Sequence, residues 1–145
     1  MQIVKADGFK KQHAFTYLMK IEYSSFNGDY VTRKDFKENY DRTYFLLDID
    51  QTIVGYYMWY PQEDNSAYLY SIAIDKYYQG NGYSKLLLEH FIFLATDGHD
   101  THCLHVNPNN TKAERLYKNF GFKPVSHVND FYEDGSLAIL MLKEK

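Results

Sequence analysis

Tyr78-Gln79-Gly80-Asn81-Gly82-Tyr83-Ser84 lies between a strand-like run, Ala67 to Ile74, and a segment of helical periodicity, and the rest of the chain is best read outward from this junction. A glycine-rich turn at a helix N-terminus presents several backbone N–H groups that have no intrahelical partner. The helix dipole adds partial positive charge, so the place suits a phosphate. The spacing is not the dinucleotide-binding fingerprint, because a third glycine is missing, and not a P-loop, because no Gly-Lys-Ser/Thr follows. On its own, a tight turn explains Gly80 and Gly82 as well as a phosphate does.

After the turn, Tyr83, Leu87, Phe91 and Leu94 fall on one stripe with Leu88, Ile92 and Ala95 beside it, which predicts a helix from about Asn81 to Thr96 that stops at Gly98. Before it come three strand-like segments, Thr43 to Ile49, Ile53 to Tyr60 and Ala67 to Ile74, separated by turn residues and read as an antiparallel meander. Strand Thr101 to Val106 follows the helix, and a strand-helix-strand crossover makes it the parallel neighbour of 67 to 74. Next is a helix from about Asn110, with Ala113, Leu116, Tyr117 and Phe120 on one face and Gly121 as its stop. The tail reads as strands Phe122 to Phe131 and Leu137 to Leu142. At the N-terminus, residues 2 to 5 suggest an edge strand, Lys10 to Tyr23 a helix, and Thr32-Arg33-Lys34-Asp35 a capping box opening a second, short helix. The expected fold class is α/β: a single domain over 1–145, with a mixed, mostly antiparallel sheet of about six to seven strands flanked by about four helices.

Composition narrows the function. The 145 residues are 45% hydrophobic and 24% charged, with no apolar run long enough for a membrane helix, so no membrane partner is expected. A net charge of -3 argues against nucleic acid and suits a cationic substrate. No basic-then-apolar leader opens the chain, and the lone Cys103 fits a reducing compartment, so the expected location is cytoplasmic. The 15 Tyr, 10 Phe and single Trp are a surplus that core burial explains for the most part, while Tyr also lines pockets. His99, His102, Cys103 and His105 tempt a metal reading. Strand alternation sends His102 and His105 to opposite faces, so no metal site is expected.

With these surroundings, the turn resembles motif A of the GCN5-related N-acetyltransferases (GNAT), Gln/Arg-x-x-Gly-x-Gly/Ala, with Gln79, Gly82 and Ser84 at the fixed positions and Ser84 a small-residue departure. Asn110 to Phe122 resembles the family's second motif, Asn-x-x-Ala-x-x-Leu-Tyr-x-x-x-Gly-Phe, and the element order agrees along essentially the whole chain. The resemblance implies a GNAT-like fold and acetyl-CoA as donor. Ile72, Ala73 and Ile74 would pair with the pantetheine arm, while Gln79, Gly80, Asn81, Gly82, Tyr83 and Ser84 hold the pyrophosphate. Asn110 would contact the cofactor, although it and Thr111-x-x-Glu114 also offer competing helix caps. Lys112, Arg115, Lys118 and Lys123 form a small basic patch that faces either the 3'-phosphate of CoA or solvent.

The same resemblance points Tyr117 at the sulfur as the general acid for the departing thiolate. Relatives carry acidic residues on the strand before motif A, whereas Tyr68-Leu69-Tyr70-Ser71 has no carboxylate there. His105 stands where relatives acting on protein amino termini often have a glutamate, and an imidazole can accept a proton near neutrality. A water chain held by Tyr70 and Ser71 is the other route. Acceptor selection is expected from residues 23–30, including Phe26 and Tyr30, and from 129–135, where Tyr132 matches a tyrosine of the peptide amino-terminal branch. Tyr70 belongs to the same expected acceptor site. The acceptor is read as a protein or peptide amine, with a small cationic amine or a non-catalytic CoA-binding role as alternatives. A homodimer is compatible with the aromatic surplus.

Overall fold

The computed structural model describes residues 1–25 and 31–145, and its seven strands form one sheet in the order β1-β2-β3-β4-β5-β7-β6. In chain order the elements are β1 (Gln2–Lys5), α1 (Lys11–Ser25), α2 (Arg33–Glu38), β2 (Thr43–Leu47), β3 (Ile53–Pro61), β4 (Ser66–Ile74), α3 (Tyr83–Thr96), β5 (Thr101–Val106), α4 (Thr111–Asn119), β6 (Lys123–Val128) and β7 (Ala138–Glu144). Every neighbouring pair is antiparallel except β4 and β5, joined through α3 as the crossover rule requires. The mixed, mostly antiparallel sheet with four helices is the expected class. Among the described residues no helix is long and apolar enough to cross a membrane.

Boundaries differ where local chemistry ends an element early. The expected strand to Ile49 stops at Leu47, because the Asp48 carboxylate accepts N–H bonds from Asp50 and Thr52, both at 2.9 Å, and folds the chain into a turn with Ile49 on its surface. The helix expected from Asn81 starts at Tyr83, since Gly82 holds a left-handed φ of +77° and serves as N-cap. β6 ends at Val128 rather than Phe131, where Asp130 turns the chain with φ +51°. The helix expected over Lys10 to Tyr23 runs from Lys11 to Ser25. Thr32 and Asp35 close the expected capping box reciprocally, at 3.0 and 3.3 Å.

The sheet carries a core on each side. One gathers Leu87, Leu88, Phe91 and Ala95 of α3 with Tyr57, Leu69, Leu104 and Tyr117; the other gathers Ala14, Leu18 and Ile21 of α1 with Phe36, Phe45, Tyr56 and Met58. Nine of the described aromatic rings are buried, fewer than the composition suggested. Others stand along the cleft wall, among them Tyr70, Tyr78, Tyr83 and Tyr132, where a phenolic hydroxyl finds polar surroundings.

Gly55 is the tightest point of the sheet, between Leu46 of β2 and Ile74 of β4. A Cβ there would stand 2.5 Å from Ile74 Cδ1 and 3.0 Å from the Ala73 carbonyl oxygen. Gly55→Ala is expected to destabilise the fold by about 1–3 kcal/mol, read as a lowered midpoint in denaturant unfolding.

Candidate active site

β4 and β5 pair at Ser66↔Thr101, Ala67↔His102 and Tyr68↔Cys103 and then part. The separation starts where β4 carries a bulge: Met58 faces Ser71 and Trp59 faces Leu69, leaving Tyr70 as the extra residue that bends the strand. A cavity of about 1190 Å³ fills the gap, lined by residues 69–74 of β4 and by 104–106 of β5 with Asn107 just beyond it. Past Tyr68, β4 has no partner strand on this side, so alternate backbone N–H and C=O groups of its outer half face the cavity. Ile72, Ala73 and Ile74 are all in its wall, where an extended arm can add to the sheet edge.

The glycine turn closes one end. Gly80 and Gly82 have φ of +84° and +77°, and no atom lies within 4 Å of where a Cβ would be on either. No side chain caps α3, which leaves its first N–H groups directed at this open space. The Gln79 side-chain amide donates to the Ile74 carbonyl at 3.0 Å, bracing the turn against β4, and Tyr83 and Ser84 line the cavity with it. Asn81 is the exception among the expected loop residues: its side chain donates to the Tyr78 carbonyl at 3.1 Å and does not reach the cavity wall. Lys85 of α3 and Lys112 and Arg115 of α4 give this end a cationic rim, whereas Lys118 pairs with Glu114 at 3.1 Å. A bare helix N-terminus, two side-chain-free glycines and three cations fit a polyphosphate.

Asn110, in the cavity wall, caps α4 by accepting the Ala113 N–H at 3.2 Å, so the competing box from Thr111 is not the cap. Two turns along α4 from Asn110, Tyr117 is buried on the α3/α4 side of the sheet with its ring 6.0 Å from Phe122. Burial, with a contribution from Tyr132, pushes its hydroxyl far above the ordinary phenol range, so Tyr117 keeps its proton at every physiological pH.

The α1/α2 side of the same gap has a different chemistry. His105 Nδ1 is 2.6 Å from the Tyr68 hydroxyl, and the imidazole stacks on Phe131 with centroids 4.3 Å apart. Burial lowers its pKa, so the ring is neutral at pH 7 and has a lone pair on one nitrogen. Aromatic contacts continue from Tyr70 through Tyr60 to Tyr68 on one side of His105 and through Phe131 to Tyr132 on the other. Tyr70 donates to Asp35 at 2.7 Å. Burial works against that carboxylate, but hydrogen bonds from Tyr70 and Thr32 prevail and hold it below the usual range. Tyr70, Tyr132, Glu133 and Asp134 line the cavity, while Phe26 and Tyr30 lie outside the described residues. His102 points the other way, against Phe91 of α3, so it does not converge with His105.

The sequence reading missed Glu22 and Tyr56. Glu22 is 1% exposed and accepts hydrogen bonds from the Tyr56 hydroxyl and from the Val31 N–H at 3.0 Å; its carboxylate lies 3.5 Å from the hydroxyl of cavity-lining Ser71. A signal existed: Glu22 follows Leu18 by four positions and Ala14 by eight, which puts a carboxylate on the apolar stripe of α1.

Comparison with known proteins agrees with this geometry. A family model, the acetyltransferase (GNAT) family, matches residues 12–122. An uncharacterised N-acetyltransferase of Methanocaldococcus jannaschii is 30% identical over 131 residues, spanning 87% of this chain and 83% of that protein. An N-alpha-acetyltransferase of Sulfurisphaera tokodaii is 28% identical over 117 residues, spanning 72% and 70%. The crystal structure of the ribosomal-protein-S18-alanine N-acetyltransferase from Escherichia coli superposes with a TM-score of 0.82 at 25% identity, covering 99% of this chain and 92% of that one. With a glycine turn before α3, a parted β4–β5 pair and a tyrosine on α4, the chain belongs to the GNAT family of acetyltransferases.

Proposed function

We propose that this protein transfers the acetyl group of acetyl-CoA directly to the amino group of a protein or peptide, in the cytoplasm. The observation that carries the reading is the two-sided cavity. Its α3/α4 side has the glycine turn, the cationic rim and Tyr117; its α1/α2 side has a neutral histidine and an aromatic wall whose Tyr70 is hydrogen-bonded to Asp35, and Glu133 and Asp134 also line the cavity. A polyphosphate belongs on the first and an ammonium on the second. The N-alpha-acetyltransferase and S18-alanine N-acetyltransferase relatives support an amino-terminal acceptor, and Cys103 as the sole cysteine supports a reducing compartment.

Acetyl-CoA supplies an activated acetyl thioester. The backbone of Ile72, Ala73 and Ile74 holds its arm along β4, the N–H groups at 80–84 hold its pyrophosphate, Gln79 braces that turn, and Asn110 flanks it from α4. Tyr117 donates its hydroxyl proton to the departing sulfur, a role that requires the phenol to be protonated, as burial ensures. His105, oriented by Tyr68, takes a proton from the acceptor nitrogen as the amide forms. Tyr70 and Tyr132 flank the acceptor. The acidic Asp35, Glu133 and Asp134 also suit a small cationic amine, which is the second reading.

A free-thiol release assay with acetyl-CoA separates these readings. Peptides of varied first residue are expected to be acetylated well above internal-lysine peptides, spermidine or an aminoglycoside. A preference for spermidine would favour the second reading, and no release with any amine would overturn both. Tyr117→Phe is expected to lower turnover by about 10²-fold or more. The rate should fall as pH drops through a value below the ordinary histidine pKa of about 6.5, because protonation removes the lone pair of His105, and His105→Ala should lose that limb. Gly82→Val places a β-branched residue at a left-handed φ, a strain of about 1–2 kcal/mol, and fills the phosphate space, so calorimetry should show CoA binding weakened by about tenfold or more.

A further inference from the structure

An amino group reaches the site as an ammonium and leaves as an amide with two protons fewer. His105 is placed to take the proton lost as the amide forms, but an earlier one must depart before the nitrogen has a lone pair with which to attack. The α1/α2 face contains a second set of exchangeable protons. Ser71, half-buried in the cavity wall just past the β4 bulge, has its Oγ 2.6 Å from the hydroxyl of Tyr56, which is wholly buried on β3. Tyr56 in turn donates to Glu22, three residues from the end of α1. The three side chains thus connect the cavity to a carboxylate sealed from solvent.

Among the described residues no Lys, Arg or His forms an ion pair with Glu22; the salt bridges there are Arg42–Asp41 and Lys118–Glu114. A buried carboxylate without a cation costs several kcal/mol in order of magnitude, and anchoring the Val31 N–H needs only a neutral acceptor. An acceptor ammonium arriving at Ser71 would supply the missing positive charge.

We propose that Glu22 receives the first proton of the acceptor ammonium, relayed through the hydroxyls of Ser71 and Tyr56. This rests on the acetyl-transfer reading above. One N–H bond breaks, its electron pair staying on nitrogen, and the proton binds Ser71 Oγ. The Ser71 proton passes to the Tyr56 oxygen, and the Tyr56 proton passes to Glu22. Each hydroxyl regains the proton it gives, so the products are a neutral amine and a neutral carboxylic acid. After product leaves, Glu22 returns its proton to solvent along the same path. Burial raises the Glu22 pKa, against lowering hydrogen bonds from Tyr56, the Val31 N–H and Ser71, which brings the carboxylate closer to an amine in proton affinity. Among the described residues the other titratable group facing this set is Tyr70, whose hydroxyl is held by Asp35.

The test uses the full chain and a peptide acceptor that the wild-type protein acetylates. Glu22→Gln, Tyr56→Phe and Ser71→Ala are each expected to lower acceptor kcat/KM by about five- to tenfold at about pH 7, where only about a tenth of an amino terminus is already neutral, with the KM for acetyl-CoA unchanged. Combining Ser71→Ala with Glu22→Gln should add little, because both cut one path. The deficit should close towards about pH 9.5, where an amino terminus of pKa about 7.7–8.0 has shed its proton unaided. A deficit of the same size at every pH would reveal a structural role and overturn the proposal. So would Glu22→Gln activity within about threefold of wild type. If Glu22→Gln fails to fold, Ser71→Ala decides: normal activity overturns the relay, and a deficit that closes with pH supports it. A wild-type protein that releases no thiol with any amine defeats the acetyl-transfer reading itself, an outcome distinct from an active wild type with an equally active Glu22→Gln.

Discussion

Past Tyr68 and Cys103, the strands β4 and β5 separate, and the candidate site is the cavity in that gap. Two parallel strands joined by a crossover helix normally stay paired along their length, because each unpaired backbone group in an interior has a cost. Here the extra residue at Tyr70 bends β4 away, and β5 soon ends in the turn around Asn107 and Pro108. The freed edge of β4 needs hydrogen-bonding partners, which makes it a place for an extended ligand rather than a gap for side chains to fill. Gly55 sets the position of that edge from behind, through its close approach to Ala73 and Ile74.

The gap also joins the two faces of the sheet. Elsewhere the strands isolate the α3/α4 core from the α1/α2 core, but between β4 and β5 they do not. The glycine turn, the cationic rim and Tyr117 stand on one side, the aromatic wall and His105 on the other. In the proposed reaction the acetyl group would pass in the plane of the sheet, with the proton donor and the proton acceptors on opposite faces. Keeping Tyr117 protonated and His105 neutral in one cavity requires no separate devices, since burial shifts the phenol up and the imidazole down, stabilising the uncharged form of each.

The tyrosine content follows from the same constraint. A cleft that must exclude water yet hold polar atoms in fixed orientation is served by a large apolar ring with one hydroxyl. Tyr56, Tyr68 and Tyr70 direct theirs at Glu22, His105 and Asp35. Each ring fixes the position of a titratable group as well as filling space.

The sequence by itself determined the element order, the parallel crossover, the glycine turn, the caps at Thr32 and Gly121 and the placement of Tyr117, because each depends on residues close together in the chain or on strand and helix periodicity. It also brought His105 to attention through its position between Leu104 and Val106. Only the tertiary structure decided which side chains meet across the gap. Glu22, Tyr56 and Ser71 are separated by 34 and 15 residues along the chain, and they converge because α1 packs on the sheet where β3 and β4 run side by side. The site has a carboxylate near β4 although β4 itself contributes none. Periodicity shows which face of an element is apolar, but it does not show which residue of another element completes a polar cluster there; packing fixes that.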